Sequence, residues 1–72
     1  MEFVTVKYWR RRNVYINGRK SGYTNMTLRT NRGTKVFTLS DPPNYEPTRR
    51  RVTVQNTTVI KPLVVSFKKK ET

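Results

Sequence analysis

Apolar and polar residues alternate along most of the chain. Val4, Val6 and Tyr8 are separated by Thr5 and Lys7, and Val14 and Ile16 flank Tyr15. Met26 and Leu28 flank Thr27, Phe37 and Leu39 flank Thr38, and Val52 and Val54 flank Thr53, while Leu63, Val65 and Phe67 close the series. A period of two puts every second side chain on one face of an extended segment, and Val, Ile, Thr, Phe and Tyr pack well on such half-buried pleated surfaces. No stretch carries the i, i+3, i+4, i+7 stripe that a helix needs. The pattern predicts an all-β fold, a small antiparallel β-sandwich of about six strands with no helix of note. The strands fall near Phe3–Tyr8, Asn13–Asn17, Met26–Thr30, Lys35–Leu39, Arg50–Val54 and Leu63–Lys68. The parity kept within each strand selects Val4, Val6, Val14, Ile16, Leu28, Phe37, Leu39, Val52, Val54, Val65 and Phe67 as the core, because a one-residue slip would turn every apolar group outward. Tyr8 shares the parity of Val4 and Val6 and belongs with them, and Met26 is read as inward-facing with Asn25 beginning its strand.

Turn chemistry fills the gaps. Asn17-Gly18 follows the strand ending at Ile16, and with Gly22 it predicts a reversal between Asn17 and Gly22 that leaves Tyr23 in a turn. Asn31-Arg32-Gly33 predicts a hairpin between its two flanking strands, with Gly33 free to take a positive φ. Asp41–Pro47 is the longest irregular segment, and its prolines bar it from a central strand. Tyr45 is the one large ring in it, and is expected to be partly buried, pinning the loop over one end of the sandwich. Pro62 places the start of the last strand at an edge or a bulge. The tail Lys68-Lys69-Lys70-Glu71-Thr72 is expected to fray.

The chain has 72 residues, room for one domain with a small core and a stability of roughly 3–5 kcal/mol. It contains no Cys and no His, so disulfides and thiolate sites are excluded, and the commonest metal ligand and the commonest neutral-pH base are missing. No metal or cofactor is expected. Its four carboxylates, Glu2, Asp41, Glu46 and Glu71, are scattered, and Asp41 reads more readily as an Asx-type turn residue than as half of an acid–base pair with Glu46. Ser21, Ser40 and Ser66 have no histidine to activate them, and the glycines lack phosphate-cradling spacing. Catalysis is not expected. Asn25-Met26-Thr27 and Asn56-Thr57-Thr58 match the N-glycosylation pattern, a coincidence expected in a Thr-rich chain. No apolar run is long enough to span a bilayer. The opening residues alternate instead of forming the apolar stretch of a secretory signal, so the expectation is a cytoplasmic location if Met1 is the true start, with the cell envelope as the alternative.

Charge changes the picture most. Sixteen Lys and Arg stand against four Asp and Glu, a formal net charge of +12. Such an excess opposes compaction by self-repulsion and favours contact with polyanions. It concentrates in Arg10-Arg11-Arg12, Arg49-Arg50-Arg51 and Lys68-Lys69-Lys70. The two Arg triplets fall at expected strand ends, where the rim of a sandwich can merge them into one patch. Arg presents a planar fork matched to phosphate, whereas Lys acts as a point charge. Charged strand edges also protect β proteins from edge-to-edge pairing, so the clusters have a structural as well as a functional reading. Trp9 and Tyr15 are the aromatics expected to be exposed, and a ring beside Arg suits stacking on bases or sugars.

The middle of the chain resembles PEGA domains. Val14-Tyr15-Ile16-Asn17-Gly18, then Gly22-Tyr23-Thr24 and Leu28, are similar to that family's opening, V-x-(I/V)-(D/N)-G followed by G-x-T-P and a hydrophobic strand. Gly33 before Val36-Phe37-Thr38-Leu39 resembles its glycine-led strand, Asn44-Tyr45 stands where Gly-Tyr is common, and Val52-Thr53-Val54 is similar to the next strand. The resemblance runs from about Val14 to Phe67. Asn25 replaces the usual Pro, and Trp9-Arg10-Arg11-Arg12-Asn13 stands where the motif that names the family would be. The resemblance implies a compact β-sandwich and a non-catalytic attachment or surface module.

Two expectations for function follow. The first is a binding module that docks a basic surface, made of Arg10, Arg11, Arg12, Arg49, Arg50 and Arg51 with Lys20 and Trp9, on a polyanion such as nucleic acid. The second is a structural or adhesive PEGA-like module whose partner is a protein or an envelope polysaccharide.

Overall fold

Each alternating segment becomes a strand within a residue or two of its expected ends. The computed structural model describes residues 1–40 and 44–70. Its strands are β1 (Glu2–Lys7), β2 (Asn13–Ile16), β3 (Arg19–Tyr23), β4 (Thr27–Thr30), β5 (Gly33–Leu39), β6 (Tyr45–Glu46), β7 (Arg50–Val54), β8 (Leu63–Ser66) and β9 (Lys68–Lys69). They form a three-stranded sheet in the order β4-β1-β8, a four-stranded sheet in the order β3-β2-β5-β7, and a short β6-β9 ribbon. No helix forms among the described residues.

The core lies between the two larger sheets. Val4, Val6, Leu28 and Val65 face it from one sheet, and Val14, Ile16, Phe37, Leu39 and Val54 from the other. All of these are buried, and so are Tyr8, Tyr45 and Phe67. Val52 is half-buried and packs against this cluster, because β7 is the outermost strand of its sheet and one flank of Val52 is uncovered.

Several expectations are corrected. The sandwich is not purely antiparallel: β8 runs parallel to β1, pairing Val4 with Leu63 and Val6 with Val65. β7 ends at the same end of the molecule where β1 begins, so a chain crossing there into the other sheet must start β8 in the direction of β1. The segment Asn31-Arg32-Gly33 does not close a hairpin. β4 pairs with β1, whereas β5 pairs with β2 and β7, so the segment carries the chain from one sheet to the other and sets Leu28 and Phe37 in opposite layers. Met26 points to solvent, 51% exposed. Asn25 takes a left-handed φ of 63°, donates its amide to the Val6 carbonyl at 2.6 Å and accepts the Tyr8 amide at 3.2 Å on Oδ1. This caps the end of β1 and delays β4 to Thr27, leaving Met26 on the turn.

The region from Asn17 to Gly22 is also more ordered than a simple reversal. Asn17 and Gly18 both have positive φ, 52° and 84°, the pattern of a two-residue type I′ turn. The chain returns at once as β3, antiparallel to β2 and with an irregularity between Val14 and Tyr15. Tyr23 is therefore the last residue of a strand and not part of a loop. The basic tail does not fray at its start: Lys68 and Lys69 pair with Glu46 and Tyr45, and the Lys70 amide donates to the Asn44 carbonyl at 3.0 Å. Residues 71 and 72 lie outside the described residues, as do 41–43 of the proline loop. Pro62 does precede an edge strand, since β8 is outermost in its sheet.

Candidate basic interface

Register decides where the Arg triplets meet. β1, β5 and β8 finish at one end of the sandwich, and β2 and β7 begin there, since Val14 pairs with Leu39, Arg50 with Phe37 and Lys7 with Ser66. Arg10, Arg11 and Arg12 connect β1 to β2, and Arg49 and Arg50 open β7, so both triplets occupy this end. Lys68 and Lys69 join them through the β6-β9 ribbon. The charge that would repel itself on a small globule is thus concentrated at one pole.

The residues there do not behave alike. Arg12 is folded into the structure: Nε donates to Ser40 Oγ at 3.3 Å and Nη1 to Asn44 Oδ1 at 2.7 Å, and Nη2 donates to the Ser40 carbonyl. Its guanidinium also lies 5.8 Å from the Tyr8 ring centroid and 5.6 Å from that of Tyr45. Five donors in a rigid fork suit such a multi-partner post. Arg12 therefore ties the first basic loop to the segment after β5. Its expected place in the contact surface is not ruled out, but its main partners are internal.

Arg10 and Arg11 are exposed. Arg10 lies 5.1 Å from the Trp9 ring centroid, and Lys69 Nζ is also 5.1 Å from it. Trp9 itself is 58% exposed, so the indole stands at the surface with cations beside it, as its sequence neighbours led one to expect. Arg11 lies 4.9 Å from the Tyr23 ring, and Lys20 Nζ, on the edge strand β3, is 5.2 Å from the same ring. Lys20 thus belongs to the Arg11–Tyr23 group. Each such exposed cation–aromatic contact contributes roughly 0.5–1 kcal/mol and holds the cation in place.

In the second triplet Arg49 and Arg51 are exposed, while Arg50 is half-buried and reaches across to the Ser66 carbonyl at 3.4 Å. The described carboxylates are Glu2 and Glu46. Glu2 is at the opposite end of β1, engaged by Thr57, so only Glu46 opposes the positive field at this pole. Among the described residues no group of three His, Cys, Asp or Glu could hold a metal ion.

Sequence reasoning missed Tyr23 and Lys69. The signal for Tyr23 was the Asn17-Gly18 pair itself, which closes a two-residue hairpin so tightly that the next five residues must run back along β2. Lys69 was hidden by the weak pattern of its strand, only two residues long.

The PEGA domain family model matches residues 11–69. The chain belongs to the PEGA domain family. No curated protein and no solved structure matches it significantly. The matched span of this PEGA domain takes in Arg11, Arg12, Arg49, Arg50 and Arg51 and leaves Trp9 and Arg10 just outside. The family membership supports an interaction module, and no helix of the described residues is long and apolar enough to cross a membrane.

Proposed function

We propose that this PEGA domain is a non-catalytic binding module that docks its basic pole on a polyanion, with nucleic acid the leading candidate. The observation that carries the reading is the strand register, which gathers Arg10 and Arg11, Arg49–Arg51 and Lys68–Lys69 at one end. Trp9, exposed between Arg10 and Lys69, adds an aromatic surface to that charge. Arg forks bind phosphate in a bidentate way, and every neutralised phosphate releases counterions, so binding weakens steeply with salt. The test is titration of labelled nucleic acid at rising salt. For roughly six or more phosphate contacts, affinity falls by about 10³ or more between 50 and 200 mM salt. Undetectable binding at low salt removes the reading.

A second reading, a protein partner, has one observation in its favour. Val59 and Ile60 in the approach to β8, and Val64 on that strand, are exposed at 66%, 87% and 53%. Apolar side chains grouped beside an edge strand are a common mark of a protein contact.

A further inference from the structure

The four-stranded sheet has a second face, turned away from the core. Its residues follow from parity: Tyr15 lies between buried Val14 and Ile16, and Thr38 between buried Phe37 and Leu39. Register sets Lys20 beside Tyr15, Tyr15 beside Thr38, Val36 beside Arg51 and Thr34 beside Thr53. Tyr23 stands beside Asn13 on the same face, with Arg11 and Lys20 over its ring. Two tyrosines thus occupy one half of the face, with Arg11 and Lys20 on the β3 side and Arg51 on the β7 side. A depression of about 300 Å³, lined by Tyr15, Thr38, Leu39 and Ser40, indents it. Tyr15, Val36 and Thr38 are half-buried and not covered. Neither described carboxylate belongs to these strands, since Glu2 is on β1 and Glu46 on β6.

We infer that this face is the track for single-stranded nucleic acid, with Tyr15 and Tyr23 as stacking platforms and Arg11, Lys20 and Arg51 as phosphate contacts. The inference rests on the polyanion reading and names its partner class. Charge complementarity selects an anion, because the face is edged by cations and carries no carboxylate. The tyrosines select among anions. A duplex hides its base faces in its own stack and offers an aromatic platform little, whereas a single strand presents them freely. Diagonal neighbours on paired strands lie roughly 7–8 Å apart, a spacing that lets consecutive bases of an extended strand meet Tyr23 and Tyr15 in turn. The depression beside Tyr15 gives the second base room to seat against Thr38 and Ser40, whose hydroxyls can bond its edge.

The test uses the full chain with three probes at one low salt concentration: a short oligothymidylate, a duplex of the same length, and heparin. Tyr15→Ala lowers oligothymidylate affinity by about 5- to 100-fold, the range for loss of one stacked base, leaves duplex and heparin affinities within error, and Tyr15→Phe restores the wild-type value. Equal loss on all three probes, or none on the single strand, overturns the inference while leaving polyanion docking intact. Failure of the wild-type chain to bind any probe removes the polyanion reading itself. If Tyr15→Ala does not fold, amide shift mapping on the wild-type chain decides. Oligothymidylate must perturb Tyr15, Lys20, Thr38 and Arg51, and perturbation confined to Thr5 and Thr27 of the other sheet overturns it.

Discussion

The Tyr45 hydroxyl serves both backbone groups of Leu39, donating to its carbonyl at 2.9 Å and accepting from its amide at 3.2 Å. β7 begins opposite Phe37, so Leu39 has no strand partner on that side and the phenol stands in for one. The Tyr45 ring packs edge-on against Phe67 at 5.5 Å and Tyr8 at 6.4 Å. One residue therefore joins β5 to β8 and β1 at the basic pole. Tyr45→Phe keeps the ring packing and leaves a buried amide and carbonyl unpaired, which costs about 1–3 kcal/mol. Urea unfolding checks this: the midpoint drops with an unchanged slope. A Tyr45→Phe midpoint equal to wild type refutes the account.

Arg12 and its neighbours in the first triplet separate in effect. Arg12→Ala removes charge-assisted bonds to Ser40 and Asn44 and the contacts to two rings, a loss of about 1.5–3 kcal/mol. For a domain of roughly 3–5 kcal/mol total stability this approaches unfolding. Arg10→Ala and Arg11→Ala leave thermal stability within about 0.5 kcal/mol, as surface changes do. Thermal melts of the three single variants order them, and equal melting of Arg12→Ala and wild type overturns the assignment of Arg12 as a structural post.

Gly22 is fixed by packing as well as by backbone. Its φ is +153°, and a Cβ there would overlap Cδ2 of Leu28, a buried core residue of β4. Leu28 reaches across from the other sheet, so the absence of a side chain at Gly22 is what lets the two layers close near β3 and β4. Gly22→Ala is expected to destabilise by about 1–3 kcal/mol through overpacking, read as a lowered melting temperature. Hydrogen exchange should show the loss first in β3 and β4.

Most of the core was legible because period-two alternation reports parity directly, and Val14, Ile16, Phe37 and Leu39 each carry it clearly. What alternation cannot report is which strands pair. Nothing local in Asn31-Arg32-Gly33 distinguishes a hairpin from a sheet crossing, and the parallel β1–β8 pair is set by contacts more than fifty residues apart in sequence. β3 was invisible for a different reason: Arg19, Lys20 and Ser21 lie on an exposed edge, where no apolar period is needed. The basic pole was half legible. The triplets and Trp9 could be named, but the internal role of Arg12 depends on Ser40 and Asn44, which no spacing rule connects to it.

Acid should loosen the end of the molecule opposite the basic pole. Glu2 accepts from the Thr57 hydroxyl at 2.6 Å and the Thr57 amide at 2.9 Å, and these bonds hold its carboxyl below its ordinary value of 4.5. A carboxylate whose pKa is depressed by folding contributes stability at pH above its unfolded value, and the contribution is lost as pH falls through the folded one. The same Thr57 hydroxyl accepts the Phe3 amide at 2.7 Å, so protonating Glu2 also weakens the tie between the loop after β7 and the start of β1. The melting temperature should fall as pH drops below about 4.5, and Glu2→Gln should flatten part of that fall. An identical pH profile for Glu2→Gln and wild type would sink the assignment.

The second Arg triplet permits the sharpest separation of binding from folding. Arg49 and Arg51 are exposed, whereas Arg50 is half-buried and bonded to the Ser66 carbonyl. Arg49→Ala with Arg51→Ala therefore removes two cations from the pole without touching the link between β7 and β8. If both contact phosphate, the slope of log affinity against log salt becomes shallower by about 1.4 for a single strand, at roughly 0.7 per contact. The melting temperature stays near wild type, because neither side chain packs in the core. Arg50→Ala should reverse the balance, lowering the melting temperature through the lost bond to β8 and changing the salt slope by no more than about 0.7. Salt-dependent anisotropy titrations beside thermal melts measure both quantities on the same samples. A double variant with an unchanged salt slope would place the phosphate contacts elsewhere on the chain, and a double variant that unfolds would show that the exposed Arg residues hold β7 in place.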